Sequence, residues 1–316
     1  MLFSIIMPVY RTEKELLNRA ISSIEKQVEK DWELFVVDDN EANSEWKEIV
    51  KNYAKYNTNS KIRFIFHEKN MGANFARNTG IKVANGIYVA FLDSDDEWDK
   101  DYLQTVSKKI YETNADIIAS AYRVITDKKI IINNCPNINN GFVYQRLLYK
   151  DIVGPTSSVI VKRVYLQKAG FFDENLPARQ DYDMWLRVCE LNAKLCYQKI
   201  PKLSIYRTAR ESISSRGLNH IKGTEIILTK IAEKVQPEQF KKICAVHYLE
   251  SANYALHQKK YEVAKKYSKL NLNYSKSIKG YLYLFFCSFP KIFYLLSDAY
   301  NAIRYFKFKI VNIKRR

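Results

Sequence analysis

Short apolar runs alternate with amphipathic stretches over the first hundred residues, and this alternation restricts the fold more than any other feature of the chain. Strands that alternate with helices form βαβ units, whose parallel strands lie in a sheet covered by helices on both faces. The sequence therefore predicts an α/β fold. The predicted strands span residues 4–9, 33–37, 62–66 and a run that begins at Gly86, and the predicted helices span 13–27, 45–56 and 74–83.

Three carboxylates stand within four residues after the fourth predicted strand, at Asp93, Asp95 and Asp96. Like charges this close repel one another, and withdrawing a carboxylate from water is unfavourable. A divalent cation offsets both effects, and oxygen ligands suit Mg²⁺ or Mn²⁺, which commonly bridge to substrate phosphates. The alternative is a solvated acidic turn that caps the next helix. Because ligands bind at the carboxyl ends of parallel strands, we expect these carboxylates to lie near Asp38 and Asp39, which follow the second strand.

Several classes of protein are disfavoured by the sequence. No GxGxxG loop follows the first strand, which argues against a dinucleotide fold, and no GxxxxGK[ST] loop indicates a P-loop NTPase. The five cysteines form no CxxC pair and are interpreted as reduced thiols of a cytoplasmic protein. We see no signal-peptide pattern at the start of the sequence, and no DNA-binding or RNA-binding motif, so nucleic acid is not an expected partner.

The positive charge of the chain is concentrated in its last third. Residues 218–316 contain 19 Lys and Arg against 6 Asp and Glu, whereas the other residues contain 32 and 28. This part is rich in aromatic residues, and apolar residues recur at three- and four-residue steps from Ile292 to Ile313. A basic, aromatic, amphipathic helix is typical of a membrane interface. The alternative is a helix that packs on the body of the protein with its apolar side inward.

The middle of the chain has a less regular pattern. Residues 129–140 are polar and are interpreted as a surface loop, and residues 196–207 alternate as one strand does. Residues 181–191 are predicted to be helical, with Trp185 on the apolar face. The run from 280 to 289 is apolar but too short to span a bilayer, which takes about 20 residues.

Four motifs in order resemble those of family 2 glycosyltransferases. They read SIIMPVY, VVDDN, NMGANFARNTGI and FLDSDD, between residues 4 and 96. A weaker match, GFFDE from residue 170 and QDYDMWLR from residue 180, extends the resemblance to about residue 215. The resemblance implies a GT-A fold, which is Rossmann-like with a mostly parallel sheet. It also implies inverting transfer of a sugar from a nucleoside diphosphate, UDP by analogy, to a hydroxyl.

The resemblance further implies where the nucleotide-sugar donor binds. Asp39, with Asp38 beside it, matches the family position that contacts the nucleobase. Pro8 and Tyr10 lie at the strand end expected to cover the ring. Arg77 matches the basic residue that faces the diphosphate or braces the metal carboxylates, and a guanidinium suits either role.

The Asp-x-Asp signature of the family matches Asp93, Ser94 and Asp95. By this resemblance Asp93 and Ser94 contact the donor, and Asp95, with Asp93 beside it, binds a Mn²⁺ or Mg²⁺ ion. That ion bridges the diphosphate and neutralises charge on the departing UDP. Asp96 is expected behind them, and Arg207 is expected to reach the diphosphate from a loop that closes over it.

Asp181 is the candidate general base. Inverting displacement needs a carboxylate on the acceptor side to take the proton of the attacking hydroxyl. Asp181 matches the Asp of a Glu-Asp pair in the family, and Gln180 here replaces the Glu. Asp183 is the alternative base, although two residues further along a helix it points elsewhere.

These expectations together predict a catalytic domain over residues 1–217, with a donor half at 1–110 and an acceptor half at 111–217, and a membrane-associated helical region at 218–316. The expected activity is transfer from a UDP-sugar to a lipid-linked glycan in surface polysaccharide synthesis, at the cytoplasmic face of the plasma membrane. Two alternatives stay open. One is a catalytically inactive binding subunit, and the other is a sugar nucleotidyltransferase. Against the second, residues 10–14, which follow the first predicted strand, contain no glycine, whereas such an enzyme is expected to have a glycine-rich loop there.

Overall fold

The computed structural model describes residues 1–207 and 218–296 of the chain. The chain divides into two compact units, Met1–Arg216 and Gly217–Arg316. Each unit contains its own cluster of buried apolar side chains.

The first unit combines strands and helices. Its strands are β1 (Phe3–Val9), β2 (Trp32–Asp38), β3 (Ile62–Phe66), β4 (Tyr88–Phe91), β5 (Glu97–Trp98), β6 (Ile117–Ser120), β7 (Tyr122–Ile125), β8 (Ile130–Asn133), β9 (Val159–Lys162), β10 (Leu195–Gln198) and β11 (Leu203–Tyr206). Its helices are α1 (Lys14–Glu25), α2 (Glu45–Tyr56), α3 (Ala73–Val83), α4 (Tyr102–Thr113), α5 (Tyr144–Leu147), α6 (Arg163–Lys168) and α7 (Gln180–Glu190), and a 3-10 turn spans Thr156–Ser158.

A seven-stranded sheet lies at the centre of this unit, with the order β10-β6-β9-β4-β1-β2-β3. Neighbouring strands are parallel except where β9 pairs antiparallel with β4 and β6. A smaller sheet has the order β5-β11-β7-β8. The predicted α/β fold with a mostly parallel sheet is therefore confirmed.

Helix α3 packs unusually close to the central sheet. A Cβ atom on Gly80 would come within 2.6 Å of the Ile6 side chain. Only a residue without a side chain permits this approach. The close packing fixes α3, and with it Arg77, relative to the end of β1.

Two segments of the middle region differ from their predictions. Residues 196–207 do not form one strand, because Pro201 follows β10 and the chain then enters the second sheet as β11. Residues 129–140 are not entirely a loop, because they contain the edge strand β8. The first residues of β8, Ile130 and Ile131, are exposed to solvent.

The described part of the second unit is helical, as predicted. Its helices are α8 (Asn219–Ala232), α9 (Pro237–His257), α10 (Tyr261–Tyr274) and α11 (Ile278–Ser288), and the chain is helical again over residues 290–296. Within these ranges and those of the first unit, we find no helix with the length and apolar character needed to cross a bilayer. Most of the predicted last helix, beyond Leu296, lies outside the described residues.

Candidate active site

The carboxyl ends of β4, β1 and β2 lie side by side at one edge of the central sheet, because the three strands are adjacent and parallel. The chain leaves them at Asp93, Tyr10 and Asp39. Strand β9 runs the other way, so the segment that precedes it reaches the same edge. The expected meeting of acidic strand ends is therefore present.

Asp93 opens an acidic turn at the end of β4. Its carboxylate accepts a hydrogen bond of 2.8 Å from Arg77 Nη2, and its side chain stays 37% exposed. Its backbone N–H donates to Ser157 Oγ at 3.1 Å. Asp95 is exposed, whereas Asp96 is buried and accepts a hydrogen bond of 3.0 Å from the N–H of Tyr206.

This turn carries more negative charge than its neighbours compensate. Restricted access of water and repulsion from Asp93 raise the pKa of Asp95, although its side chain is still in contact with solvent. Burial and the charges of Asp93 and Asp95 raise the pKa of Asp96 well above its usual value. Ionisation of clustered carboxyl groups is unfavourable because their charges repel one another. A hard divalent cation relieves this repulsion, and it prefers carboxylate oxygens as ligands.

The acidic turn does not hold a complete set of metal ligands. In residues 1–207 and 218–296, no three His, Cys, Asp or Glu side chains are grouped so that they could hold a metal ion. A cation at Asp93 and Asp95 would therefore need further oxygens from a phosphate or from water.

Side chains from α1 and β11 also lie against the acidic turn. Arg19 Nη2 donates to the carbonyl oxygen of Asp95 at 2.6 Å, and the guanidinium lies 3.6 Å from the centroid of the Tyr206 ring. Ser94 is buried, and its hydroxyl shares a hydrogen bond of 2.6 Å with Thr12. The positive charge of exposed Arg207 partly offsets the raised pKa of Asp95, so Arg207 lies near the turn.

Asp38 is a structural residue in this fold, rather than one that presents oxygens to a ligand. Its side chain has no exposed surface. Lys47 Nζ lies 3.1 Å from its Oδ2, and Asn40 Nδ2 donates to its Oδ1 at 2.5 Å. The expectation that Asp38 contacts the donor stays a prediction, and in this structure its carboxylate is buried beside a paired lysine.

Asp39 is also buried, and its carboxylate secures the loop before α3. Oδ1 lies 2.8 Å from His67 Nδ1 and accepts from Met71 N at 2.9 Å, while Oδ2 accepts from Gly72 N at 2.8 Å. His67 also contacts Thr79 Oγ1 through Nε2 at 3.0 Å. The contact of His67 with Asp39 could not be predicted from sequence, because a single histidine outside any motif has no characteristic spacing.

Pro8 and Tyr10 lie at the end of β1. Strand β4 pairs with β1 only as far as Ile6, so Pro8, which lacks an N–H, lies beyond that pairing. Tyr10 is 38% exposed, and its hydroxyl donates to Glu41 Oε1 at 3.2 Å. The guanidinium carbon of Arg11 lies 5.0 Å from the centroid of this ring.

Asp181 lies in the first turn of α7, and its environment favours the protonated form. Oδ1 accepts a hydrogen bond of 2.8 Å from the N–H of Tyr182. Burial, followed by the charge of Asp151, raises the pKa of Asp181 to about 6, against the opposing effects of Arg77 and Arg179. A carboxyl of this kind can exchange a proton near neutral pH.

Asp183, the alternative base, has a different environment. It is buried, and its Oδ2 accepts from Arg187 Nε at 2.9 Å and from Arg187 Nη2 at 2.6 Å. Two donors of one guanidinium thus reach a single carboxylate oxygen, which holds the Asp183 side chain in place. We therefore retain Asp181 as the candidate base.

Three aromatic rings connect the acidic turn to α7. Phe91 at the end of β4 lies 5.4 Å from Phe172 and 6.4 Å from Trp185, measured between ring centroids. Phe172 in turn exchanges hydrogen bonds with the Asn78 side chain, at 2.8 Å to Oδ1 and 2.9 Å from Nδ2. Asn78 thus anchors the GFFDE segment to α3. Both residues belong to motifs found in the sequence, but only the structure shows that the Asn78 side chain bonds to the Phe172 backbone.

Comparison with known proteins agrees with this geometry. Residues 4–168 match the model of glycosyl transferase family 2. The chain is 29% identical over 221 residues to the Escherichia coli UDP-Glc:alpha-D-GlcNAc-diphosphoundecaprenol beta-1,3-glucosyltransferase WfgD, covering 70% of this chain and 83% of WfgD. It is 28% identical to the putative teichuronic acid biosynthesis glycosyltransferase TuaG of Bacillus subtilis, covering 73% of this chain and 88% of TuaG.

A solved structure, S. aureus TarS 1-349 in complex with UDP-GlcNAc, shares the fold with a TM-score of 0.67 and 19% identity. The match covers 85% of this chain and 81% of the TarS chain. The family model spans more than half of the sequence, and the chain belongs to glycosyl transferase family 2. It is a glycosyltransferase with a GT-A fold.

Proposed function

We propose that the enzyme transfers a sugar from a UDP-sugar, with inversion, to a hydroxyl of a lipid-linked glycan during surface polysaccharide synthesis. The observation that carries this proposal is the acidic turn at the end of β4, with Arg77 on one of its carboxylates. WfgD and TuaG support the substrate classes through their names, and TarS supports UDP through its bound ligand.

In this proposal residues 1–110 bind the donor and residues 111–217 bind the acceptor. Arg77 and Arg207 attract the diphosphate, Tyr10 stacks on the nucleobase beside Pro8, and Asp39 contacts the base from the end of β2. Asp93 and Asp95 would hold a Mn²⁺ or Mg²⁺ ion, which would supply charge neutralisation for the leaving UDP. Ser94 supports this turn through Thr12.

Asp181 acts on the acceptor side. With a pKa of about 6, it is ionised near neutral pH and accepts the proton of the attacking hydroxyl as the new glycosidic bond forms. The proton leaves the hydroxyl for Asp181, and the electrons of the cleaved bond leave with UDP. Transfer from an α-linked donor therefore gives a β-linked product.

The test is a transfer assay with a panel of UDP-sugars, an acceptor that carries GlcNAc on a polyprenyl diphosphate, and Mn²⁺ or EDTA. We expect product with at least one UDP-sugar and an inverted anomeric configuration by NMR. Asp181→Asn should reduce kcat by at least about 100-fold, since general base catalysis contributes roughly this much. Retained configuration, or wild-type turnover by Asp181→Asn, would refute the mechanism.

We also propose that the second unit binds the cytoplasmic surface of the plasma membrane. An exposed apolar stripe supports this proposal, since Tyr281, Phe285 and Phe289 are 57%, 46% and 52% exposed and follow one another at four-residue spacing. Exposed Lys279 and Lys291 flank the stripe and match the headgroups of anionic lipids.

Vesicle flotation tests this membrane proposal separately from catalysis. We expect binding to vesicles that contain anionic lipid, weaker binding to zwitterionic vesicles, and loss of binding in Phe285→Asp. Tyr111→Asp, which changes an aromatic residue on α4 that is more exposed than Phe285, is the control and should float as the wild type does. Equal flotation of the wild type and Phe285→Asp would contradict the proposal.

A further inference from the structure

Asp151 is a carboxylate beside Asp181 that no sequence motif singles out. It lies in the loop that follows α5, and its Oδ1 accepts hydrogen bonds from Val153 N at 3.0 Å and Gly154 N at 3.2 Å. These bonds close a compact turn, in which Gly154 has a φ of +111° that residues with side chains rarely adopt. The turn therefore holds Asp151 in one orientation.

Helix α7, which carries the candidate base, is bonded to this loop at two points. Trp185 Nε1 donates to the carbonyl oxygen of Gly154 at 2.8 Å, and the Tyr182 hydroxyl donates to Leu147 O at 2.6 Å. Residues four apart share one face of a helix, so Asp181 faces the same loop as Trp185. The Tyr197 hydroxyl adds a bond of 3.0 Å to Ile152 O from β10.

We propose that Asp151, held in the turn that is bonded to α7, is a positioning residue for Asp181, and that its negative charge assists proton uptake by Asp181. The inference rests on the proposed function of Asp181 as the base.

The other charged groups around the pair act in the opposite direction. Arg77 from α3 and Arg179, just before α7, lower the pKa of Asp181, and Arg179 also lowers that of Asp151. Burial, followed by weaker effects of the Asp151 and Asp181 charges, raises the pKa of Tyr122 on β7. Burial raises the pKa of Asp151 itself. The charge of Asp151 thus raises the pKa of Asp181, whereas the charges of the two arginines lower it.

The test is Asp151→Asn, because the amide oxygen can still accept from Val153 and Gly154 while the charge is lost. A like charge at close range shifts a carboxyl by about one pH unit or more, so the acid limb of kcat/KM should move down by about one unit. At pH 5 the variant should then retain a roughly fivefold larger share of its own maximum than the wild type does. Its maximum should fall, because a weaker base takes the proton less readily.

Two further variants make the result specific. Asp151→Glu restores the charge and should return the limb toward its wild-type position. Glu190→Gln removes one negative charge at the far end of α7 and should leave the limb in place. An unchanged limb in Asp151→Asn would overturn the proposal. Loss of activity at every pH in both Asp151→Asn and Asp151→Glu would also overturn it, because Asp151 would then act on the reacting atoms directly.

A second readout separates this proposal from the proposed function. Carboxyl-carbon NMR of aspartate-labelled protein follows Asp181 without substrate, and its signal is assigned by its absence in Asp181→Asn. If Asp181 titrates lower in Asp151→Asn although no sugar is transferred, the coupling holds and the proposed function fails. If transfer occurs but Asp181 titrates identically in both proteins, the coupling fails alone.

Discussion

Asp181→Asn should make the protein more stable while it slows transfer by at least about 100-fold. The raised pKa means that folding favours the protonated carboxyl, so the ionised group costs stability as pH rises from about 4 through about 6. The difference between about 6 and the ordinary value of 3.8 is about two pH units, or about 3 kcal/mol above pH 7. Asn avoids this cost and keeps an oxygen that accepts from Tyr182 N.

Urea unfolding at pH 8 and pH 4 measures this effect. All four tryptophans, at positions 32, 46, 98 and 185, lie in the first unit, so their fluorescence reports on the unit that contains Asp181. We expect Asp181→Asn to exceed the wild type by about 2–3 kcal/mol at pH 8, and the two to agree closely at pH 4. Glu190→Gln is the control and should show no such dependence on pH. Equal stability at pH 8 would refute a desolvated Asp181.

Three further substitutions test the framework around the site by the same unfolding measurement. Lys47→Met should cost about 3–5 kcal/mol, because it leaves Asp38 buried and unpaired, and adding Asp38→Asn should recover part of the loss; a loss below about 1 kcal/mol would contradict the buried ion pair. Asn78→Ala should cost about 2–3 kcal/mol, since the N–H and carbonyl oxygen of Phe172 lose their partners, and a neutral result would mean that water replaces the amide. Gly80→Ala should cost about 1–3 kcal/mol, because its methyl group overlaps a β1 side chain, and an unchanged midpoint would show that α3 can shift away.

The sheet and its acidic edge could be predicted from sequence because they depend on local patterns. Apolar runs such as the one before Asp93 alternate with helical spacing, and parallel strands then bring their ends to one edge. The division of residues 196–207 between two strands at Pro201 could not be predicted, because alternation of apolar and polar residues does not indicate which sheet a strand joins.

Roles that depend on burial could not be predicted from sequence. Asp38 and Asp39 are neighbours with the same chemistry, yet Asp38 pairs with Lys47 and Asp39 secures the loop before α3. Asp151 follows no motif, and its effect on Asp181 arises only when α7 docks on its loop through Trp185. A linear pattern identifies a carboxylate, whereas the packed structure determines which partner it meets.

Calorimetric titration of UDP into the wild-type enzyme and Asp95→Asn, with and without Mn²⁺, tests the central claim most directly. The account predicts that Mn²⁺ strengthens UDP binding to the wild type by about tenfold or more, which is about 1.4 kcal/mol. Asp95→Asn should lose this gain while it retains the metal-free affinity that Arg77 and Tyr10 support. The same gain with Mn²⁺ in both proteins would contradict a donor site at the acidic turn.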